Sequence, residues 1–344
     1  MKSFYNLTLD ELTKELTSLS YSKYASSQIY DWVYRKKIDD FSLMSNVKKE
    51  LRDYMSNTYS LNLPKIEKLE VSKDTTRKYL LKLEDDSMIE AVLMHHEYGT
   101  SLCVTSEVGC NMGCAFCASG LLKKTRNLET HEMVEEVLTV ENESQEKVSH
   151  IVIMGTGEPL DNLDNVLKFI EIVNAPKGLE IGIRHITMST CGIVPKIYEL
   201  ANMNPQINLA ISLHAPTDDL RDRLMPINKA YKLKELIESV DYYFKKTGRR
   251  ITFEYLLLDG VNDSLLYADK LADLIRGLNC YVNLIPYNQV SEFKYKTAKD
   301  DNVNAFYNQL KKRGINVTKR RKMGDDIDAA CGQLRSKHDN NFKN

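Results

Sequence analysis

The sequence predicts an α/β protein built from three successive parts. Residues 1–60 place apolar side chains at the spacing of amphipathic helices, and residues 61–100 change to the two-residue alternation of β-strands. From residue 101 onward, short apolar runs alternate with longer amphipathic stretches, the pattern of a parallel sheet covered by helices. We therefore expect a helical accessory domain over 1–60, a connecting β-meander over 61–100 and a larger α/β domain over 101–344.

The composition is that of a globular protein with room for a substantial core. The chain has 344 residues, of which 42% are hydrophobic. Its amino terminus lacks the apolar core of a signal peptide, and no stretch reaches the roughly 18 apolar residues of a membrane span. An odd number of cysteines, seven, argues against a disulfide framework, so we expect a cytoplasmic protein that is not bound to a membrane.

Three helices are expected in the first part, over residues 9–16, 22–35 and 46–56, with Thr8 as the cap of the first. The second helix carries four aromatic residues: Tyr24, Tyr30, Trp32 and Tyr34. They could stack on RNA bases, but aromatic residues at helical spacing more often fill a core, and both interpretations stay open at this point.

The remaining elements follow in a regular order. The meander is predicted from four alternating runs, 66–71, 78–83, 88–94 and 102–105. Later strands are predicted over 151–154, 183–188, 207–213, 251–257, 281–285 and 315–319, and helices over 130–142, 162–173, 194–203, 232–246, 265–276 and 302–312. Functional side chains of such folds gather where parallel strands end, so the loops after these strands are the expected place for a site.

Three cysteines in the pattern CxxxCxxC are the most informative motif of the chain. Cys110, Cys114 and Cys117 offer three thiolates within eight residues. Iron–sulfur cubes are usually held by four cysteines, so three clustered thiolates leave one iron open for a further ligand. The alternative is a structural zinc site, but zinc prefers paired ligands closed to four, and no second pair follows here.

The charges are unevenly distributed around a net charge of −1, which is not typical of a nucleic-acid binder. Residues 311–322 carry seven Lys or Arg and no acid, whereas residues 129–146 carry seven Glu and no Lys or Arg. This distribution predicts one face that attracts RNA phosphates and another that repels them, although charged patches are also ordinary solvated surface.

With its aromatic Phe116 just before the last cysteine, the motif resembles that of the radical S-adenosylmethionine (SAM) superfamily. Within it, the chain is similar to bacterial dual-specificity RNA methyltransferases that methylate carbon 2 of adenine. The similarity rests on Gly157-Glu158-Pro159, Ser212-Leu213-His214, the segment 283–288 and the segment 325–333. It implies a partial (βα)6 barrel that binds a 4Fe–4S cluster through Cys110, Cys114 and Cys117.

The resemblance also implies a SAM site at the strand ends. Its expected residues are Gly157, Glu158, Ser189, Ser212, Leu213, His214 and Asn288. A glycine lets the backbone approach a ligand closely, and a carboxylate such as that of Glu158 can accept hydrogen bonds from the SAM amino group. Taken without the resemblance, these residues are polar side chains that end apolar strands, and a buried core histidine is the commoner explanation of His214.

Two further cysteines, Cys103 and Cys331, match positions to which the family gives catalytic roles. There a first SAM methylates the cysteine corresponding to Cys331, and a radical made from a second SAM takes a hydrogen atom from that methyl group. The carbon radical adds to adenine, and the cysteine corresponding to Cys103 releases the product by forming a disulfide that must then be reduced. Glu90 matches the base that removes the carbon 2 proton. A permanent structural disulfide is the alternative for the two cysteines, although a reducing cytoplasm disfavours it.

The sequence therefore predicts a radical SAM methyltransferase that acts on 23S ribosomal RNA and on the transfer RNA adenosine beside the anticodon. We expect a monomer that receives electrons from a small reductant protein such as flavodoxin. One alternative is the related carbon 8 methyltransferase that confers antibiotic resistance, which has Ala where this chain has Pro159. Another is an iron–sulfur RNA-binding protein without catalysis, which would need neither Cys103 nor Cys331.

Overall fold

The computed structural model describes residues 1–334, so the last ten residues of the expected 101–344 domain lie outside the described part of the chain. The first part contains α1 (Leu9–Ser18), α2 (Lys23–Tyr30) and α3 (Lys49–Thr58), flanked by the parallel pair β1 (Lys2–Ser3) and β2 (Tyr59–Ser60). Thr8 caps α1 as expected, because its hydroxyl accepts from the amide of Glu11 at 3.1 Å. The predicted helix over 22–35 is divided, since Asp31–Arg35 forms a π-helical turn.

Aromatic side chains fill the core of these helices. Phe4 is fully buried, and its ring lies 6.0 Å from that of Tyr30 and 6.2 Å from that of Tyr34. Tyr30 and Tyr34 are themselves buried, so the core interpretation is right for both, whereas Tyr24 is 69% exposed. The same core continues without a break into α4 (Thr130–Ser144) and the large sheet.

One ten-stranded mixed sheet forms the body of the protein, as the α/β prediction requires. An antiparallel meander supplies one side, with β3 (Lys65–Val71), β4 (Arg77–Lys82), β5 (Met88–His96) and β6 (Gly99–Val104). From β6 onward all pairs are parallel and follow chain order, through β9 (His150–Ile153), β10 (Ile186–Thr190), β11 (Asn208–Ser212), β12 (Ile251–Leu257), β13 (Cys280–Pro286) and β14 (Val317–Lys319). The carboxyl ends of seven strands therefore meet along one edge of the sheet.

Helices connect the parallel strands in the expected alternation. They are α4, α5 (Leu163–Asn174), α6 (Val194–Met203), α7 (Asp218–Leu224), α8 (Leu233–Thr247), α9 (Leu265–Leu274) and α10 (Asp300–Lys312). The strand expected over 183–188 begins only at Ile186, because Ile183–His185 forms a 3-10 turn, and α7 was not predicted. No helix within residues 1–334 is long and apolar enough to cross a membrane.

The acidic stretch 129–146 is not the repelling surface that its charge predicts. It forms α4, where Glu132, Glu135, Glu136 and Glu141 are buried against the sheet and the amino-terminal helices. Glu136 accepts a hydrogen bond from the amide of Thr105 at 3.1 Å, and burial raises its pKa well above the usual value. These glutamates tie elements together, so the prediction of an acidic face at 129–146 is wrong.

Candidate active site

The CxxxCxxC motif lies in a loop at the carboxyl end of β6. Two short strands, β7 (Glu107–Val108) and β8 (Arg126–Asn127), pair antiparallel and close the base of this loop. Lys124 reinforces the base, because its ammonium donates to Glu107 at 2.7 Å and to Asp161 at 2.6 Å. Gly109 adopts φ of +78°, and a Cβ there would lie only 2.2 Å from the carbonyl oxygen of Lys123, so the turn requires glycine.

Cys110, Cys114 and Cys117 line one side of a cavity as free thiols. Burial raises the pKa of Cys110 to about 12 and that of Cys114 still more, so both thiols need a strongly electrophilic partner to become thiolates. Within residues 1–334, no three His, Cys, Asp or Glu side chains converge on a point suited to one metal ion. A cubane binds each thiolate to a different iron, so three spaced thiols fit a 4Fe–4S cluster with one open iron.

The loop after β9 brings Gly157 and Glu158 to the opposite side of this cavity. Gly157 has φ of +112°, and a Cβ there would lie 2.7 Å from the side chain of Glu107, so only glycine lets the backbone pass. The buried Glu158 carboxylate accepts from the amides of Leu160 at 3.1 Å and Cys191 at 2.7 Å. Each carboxylate oxygen retains a lone pair, so a ligand amino group can still be accepted there.

His214 also lines the cavity, and its tautomer follows from its contacts. The amide of Leu256 donates to His214 Nδ1 at 3.0 Å, so the ring proton lies on Nε2. Burial, followed by the charge of Arg221, lowers the pKa of His214 to about 3, so the ring is neutral. Its φ of +55° is rare outside glycine and asparagine. The histidine is thus buried and also presents a donor at the cavity wall.

The remaining predicted SAM residues lie in three different places. Ser189 and Ser212 line the same cavity as the cysteines, with their hydroxyls 3.4 Å apart. Asn288 lines a second, larger cleft, and its buried Oδ1 has no hydrogen-bond partner within residues 1–334, as expected for an atom that meets a ligand. Leu213 is different, because its side chain is buried in the core and only its backbone reaches the strand end.

Cys103 and Cys331 line the same large cleft, directly below the cysteine loop. All seven cysteines are free, so the disulfide expected between these two is absent from the structure. Burial raises the pKa of Cys103 to about 12. The side chain of Cys331 is exposed to the cleft, where partial desolvation raises its pKa and the charge of Arg320 acts against this rise. The two thiols are therefore brought together in their reduced, largely protonated form.

Cys331 is positioned by the segment 324–334, which forms hydrogen bonds to two different parts of the protein. Toward the cysteine loop, the amide of Ala118 donates to the carbonyl of Gly332 at 2.8 Å. Toward the meander, Asp74 accepts from the amide of Gly324 at 3.0 Å, and Lys78 donates to the carbonyl of Ile327 at 2.6 Å. The cysteine thus lies on a strap fixed at both ends, an arrangement that sequence motifs alone do not reveal.

Glu90 is close to this strap but does not line either cavity. It lies on the face of β5 that also carries Val92, whose register partner on β6 is Cys103. Its carboxylate is buried, 3.8 Å from the ammonium of Lys78. The structure therefore brings Glu90 beneath the Cys331 segment without exposing it to the cleft.

Two arginines at the site were not predicted from the sequence. Arg221 is fully buried and donates to the carbonyls of Cys191 at 2.6 Å, Ser212 at 3.2 Å and Leu213 at 3.2 Å, which fixes the ends of β10 and β11. Arg320 belongs to the basic run 311–322 but lines both cavities, where it lies near Cys331, Glu254 and Cys103. The prediction that the whole run forms a surface is thus wrong at Arg320.

Comparison with known proteins identifies the family of the chain. Residues 105–270 match the family model described as the radical SAM superfamily, and residues 3–61 match the N-terminal domain of ribosomal RNA large subunit methyltransferases. A solved radical SAM methyltransferase from Sphaerobacter thermophilus superposes with a TM-score of 0.91 at 41% identity, covering 97% of this chain and 99% of that chain. The partial-barrel fold inferred from the sequence is confirmed.

Curated relatives match over nearly the whole length. The probable dual-specificity RNA methyltransferase RlmN of Geobacillus kaustophilus is 53% identical over 98% of this chain and 93% of its own length. The protein of the same name from Bacillus subtilis is 52% identical over 97% of this chain and 93% of its own length. Similarity of this extent, spanning both matched domains, means that the chain belongs to the RlmN family of radical SAM methyltransferases.

Proposed function

We propose that this chain methylates carbon 2 of an adenine in 23S ribosomal RNA and of the adenosine beside the anticodon of transfer RNA. The observation that carries the proposal is the shared cleft of Cys103 and Cys331 below a loop of three further cysteines. A binding protein needs neither of these two thiols, whereas a methyl-carrying and a resolving cysteine must share one space. The names of the relatives support RNA as the substrate.

The cofactor residues are assigned by the family resemblance, and most of them line the smaller cavity, whereas Asn288 lines the larger cleft and Leu213 offers only its backbone. Cys110, Cys114 and Cys117 would hold the 4Fe–4S cluster. SAM would be held by the backbone at Gly157 and Leu213 and by Glu158, Ser189, Ser212, His214 and Asn288. Of these, His214 offers a fixed Nε2–H donor and Asn288 an unpartnered acceptor. When bound, these cofactors supply a methyl group and the one-electron chemistry that removes a hydrogen atom from it.

The chain's own residues then carry the methyl group and the protons. Cys331 holds the methyl group next to the adenine, and Arg320 favours the thiolate that accepts it. By its match to the family position, Glu90 is assigned removal of the proton from carbon 2, although its carboxylate does not line the cleft in this structure. After the adduct has lost its unpaired electron, the Cys103 thiolate attacks the sulfur of Cys331. The bond between that sulfur and the methylene carbon breaks, its electron pair stays on the carbon, and the carbon takes up a proton to give methylated RNA. The resulting disulfide is reduced by two electrons before the next turnover. We further propose a cytoplasmic monomer that receives electrons from a small protein such as flavodoxin, with residues 1–60 as an RNA-contacting accessory domain.

The test is the identity of the methylated base in cells that lack their own enzyme. Expression of this chain should produce 2-methyladenosine in both 23S and transfer RNA, measured by mass spectrometry of digested nucleosides. Cys331→Ala should abolish it, whereas Cys280→Ala should not, because Cys280 is buried in β13 and lines neither cavity. Appearance of 8-methyladenosine instead would overturn the proposed position of methylation, and no methylation at all would favour the non-catalytic alternative.

A further inference from the structure

Lys78 is the one lysine that is buried within residues 1–334, and the proposed reaction gives it no task. It lies on β4, and its side chain is only 8% exposed. Lysine is rarely buried unless partners compensate its charge, because an ammonium loses strong hydration when it leaves water. Lys82 at the end of the same strand is partly exposed and pairs with Asp86 at 2.7 Å. The burial of Lys78 therefore needs an explanation in its surroundings.

The ammonium of Lys78 contacts acceptors from three different segments of the chain. It donates to the carbonyl of Ile327 in the strap at 2.6 Å, and it pairs with Glu70 of β3 at 3.0 Å. The carboxylate of Glu90 on β5 lies 3.8 Å away, within ion-pair distance but beyond hydrogen-bond distance. An ammonium has three N–H donors, so this one nitrogen connects an outer strand of the sheet, the strap and the assigned base.

These groups lie on the face of the sheet that the strap covers. Lys78 is the register partner of Val92, and Val92 is the register partner of Cys103. Glu90 precedes Val92 by two residues on β5, so its side chain points to the same face. Ala329 of the strap belongs to one buried apolar cluster with Val92 and Cys103. The assigned base, the proposed resolving cysteine and the strap therefore share one surface.

The ammonium acts on the base through its charge. A buried carboxylate loses hydration, and a nearby cation offsets that cost and favours the ionised form. If the strap moves away from Lys78, the N–H group that the Ile327 carbonyl had occupied becomes free and can close the 3.8 Å gap to Glu90. The position of the strap and the charge beside the base thus depend on the same nitrogen.

We infer that Lys78 is a positioning residue that couples the strap to the base, because one ammonium fastens the Cys331 segment and supplies the counter-charge of Glu90. The inference rests on the proposed function, in which the Glu90 carboxylate takes the hydrogen of carbon 2 as a proton. Both electrons of that bond stay on the adduct, so this transfer needs no oxidant or reductant. Lys78 lines neither of the two cavities formed by residues 1–334, so it acts through Glu90 and the strap.

The contact with the strap can be tested without catalysis. Lys78→Met removes the donor to Ile327, so hydrogen exchange of the peptide 324–334 should become about tenfold faster, as expected for loss of a charged hydrogen bond. Mass spectrometry of the digested protein measures this rate. Asp74→Ala removes the acceptor of the Gly324 amide and should also accelerate exchange. Lys82→Met, on the same strand but away from the strap, should leave the rate unchanged.

The effect on the base is measured on the protein–RNA adduct. Without an effective base, the adduct keeps its carbon 2 proton and its unpaired electron, so it accumulates and gives an electron paramagnetic resonance signal. Lys78→Met and Glu90→Gln should both accumulate this species and lower the yield of methylated RNA about tenfold or more, since a general base contributes about a hundredfold or more. Asp74→Ala should loosen the strap without accumulating the species.

A second substitution keeps the test valid if Lys78→Met does not fold. Lys78→Gln retains a polar donor but no charge, so it should accumulate the same paramagnetic species. Circular dichroism of each variant identifies those that are folded, and Lys82→Met should give neither the signal nor the loss of methylated RNA.

Several outcomes would overturn the inference. One is a folded Lys78→Met variant that changes only the exchange rate or only the signal, because the lysine would then serve one group and not couple two. Another is a Glu90→Gln variant that accumulates no paramagnetic species, because Glu90 would not be the base. Absence of methylated RNA from the unaltered chain would instead count against the proposed function. Even then, unchanged exchange of the strap in Lys78→Met would overturn the inference, since that measurement needs no reaction.

Discussion

Cys103 and Cys331 have different chemical tasks in the proposed reaction, so replacing them should stop it at different steps. Cys331→Ala should give neither methylated protein nor methylated RNA, because the methyl acceptor is missing. Cys103→Ala should still methylate Cys331 and reach the adenine, but then accumulate a covalent protein–RNA species. On a denaturing gel this species is a mass shift that nuclease removes. Free methylated RNA from either variant at the normal rate would contradict the assigned roles.

His214 predicts a specific pH dependence of stability. Its pKa is lowered from 6.5 to about 3 in the folded chain, first by burial. Between these values the unfolded chain binds a proton that the folded chain does not, so acid destabilises the fold. The free energy of unfolding should fall by up to about 1.4 kcal/mol per pH unit from this group.

His214→Asn should remove this part of the slope, because Asn tolerates the positive φ and its Oδ1 can accept from the amide of Leu256. Urea unfolding at pH 7 and pH 5 measures the effect, with the exposed His185→Asn as the control. An unchanged pH dependence in the His214 variant would show that the pKa of this ring is the same in the folded and the unfolded chain.

Arg221 connects the ends of β10 and β11 to α7, and its loss should destabilise all three elements. Arg221→Met leaves several buried carbonyl groups without a donor, so we expect a loss of at least about 3 kcal/mol in the free energy of unfolding. Arg223→Met, on the exposed face of the same helix, is the matched control and should change little. Denaturant titration compares the two, and similar small losses would mean that water replaces the arginine.

The helices and strands were predictable because the spacing of apolar residues along the sequence shows which side chains of each element are buried. Helix α6 spans Val194–Met203, which are the predicted bounds, and the cysteine motif lies at a strand end as expected. Charged residues whose partners are distant in sequence were not predictable in this way. The glutamates of α4, Arg221 and Arg320 have the composition of a solvated surface, and only the tertiary fold supplies the groups that surround them. The position of the strap 324–334 was not predictable for the same reason, because it depends on a hydrogen bond from the amide of Gly324 to Asp74, which is distant in sequence.

The continuous core predicts that the amino-terminal helices and the sheet unfold together. Trp32 is the single tryptophan and lies beside the core of the first part, so its fluorescence reports on residues 1–60. Far-UV circular dichroism is dominated by the larger α/β region. We expect the two signals to give coincident urea transitions, because the aromatic cluster around Phe4 and the apolar face of α4 belong to one packed core. A separate, earlier fluorescence transition would show that the first part unfolds independently.

The strap that positions Cys331 has a consequence for how the protein is made. Residues 324–334 follow the cysteine loop by about 200 residues in the chain, so they emerge from the ribosome well after that loop. Until then the cysteine loop lacks the backbone partners of Ala118 and Ser119, and its three thiols remain open to the surroundings. The nascent protein therefore passes through a stage at which iron and sulfide can be delivered to the loop, before the carboxyl-terminal segment folds over it.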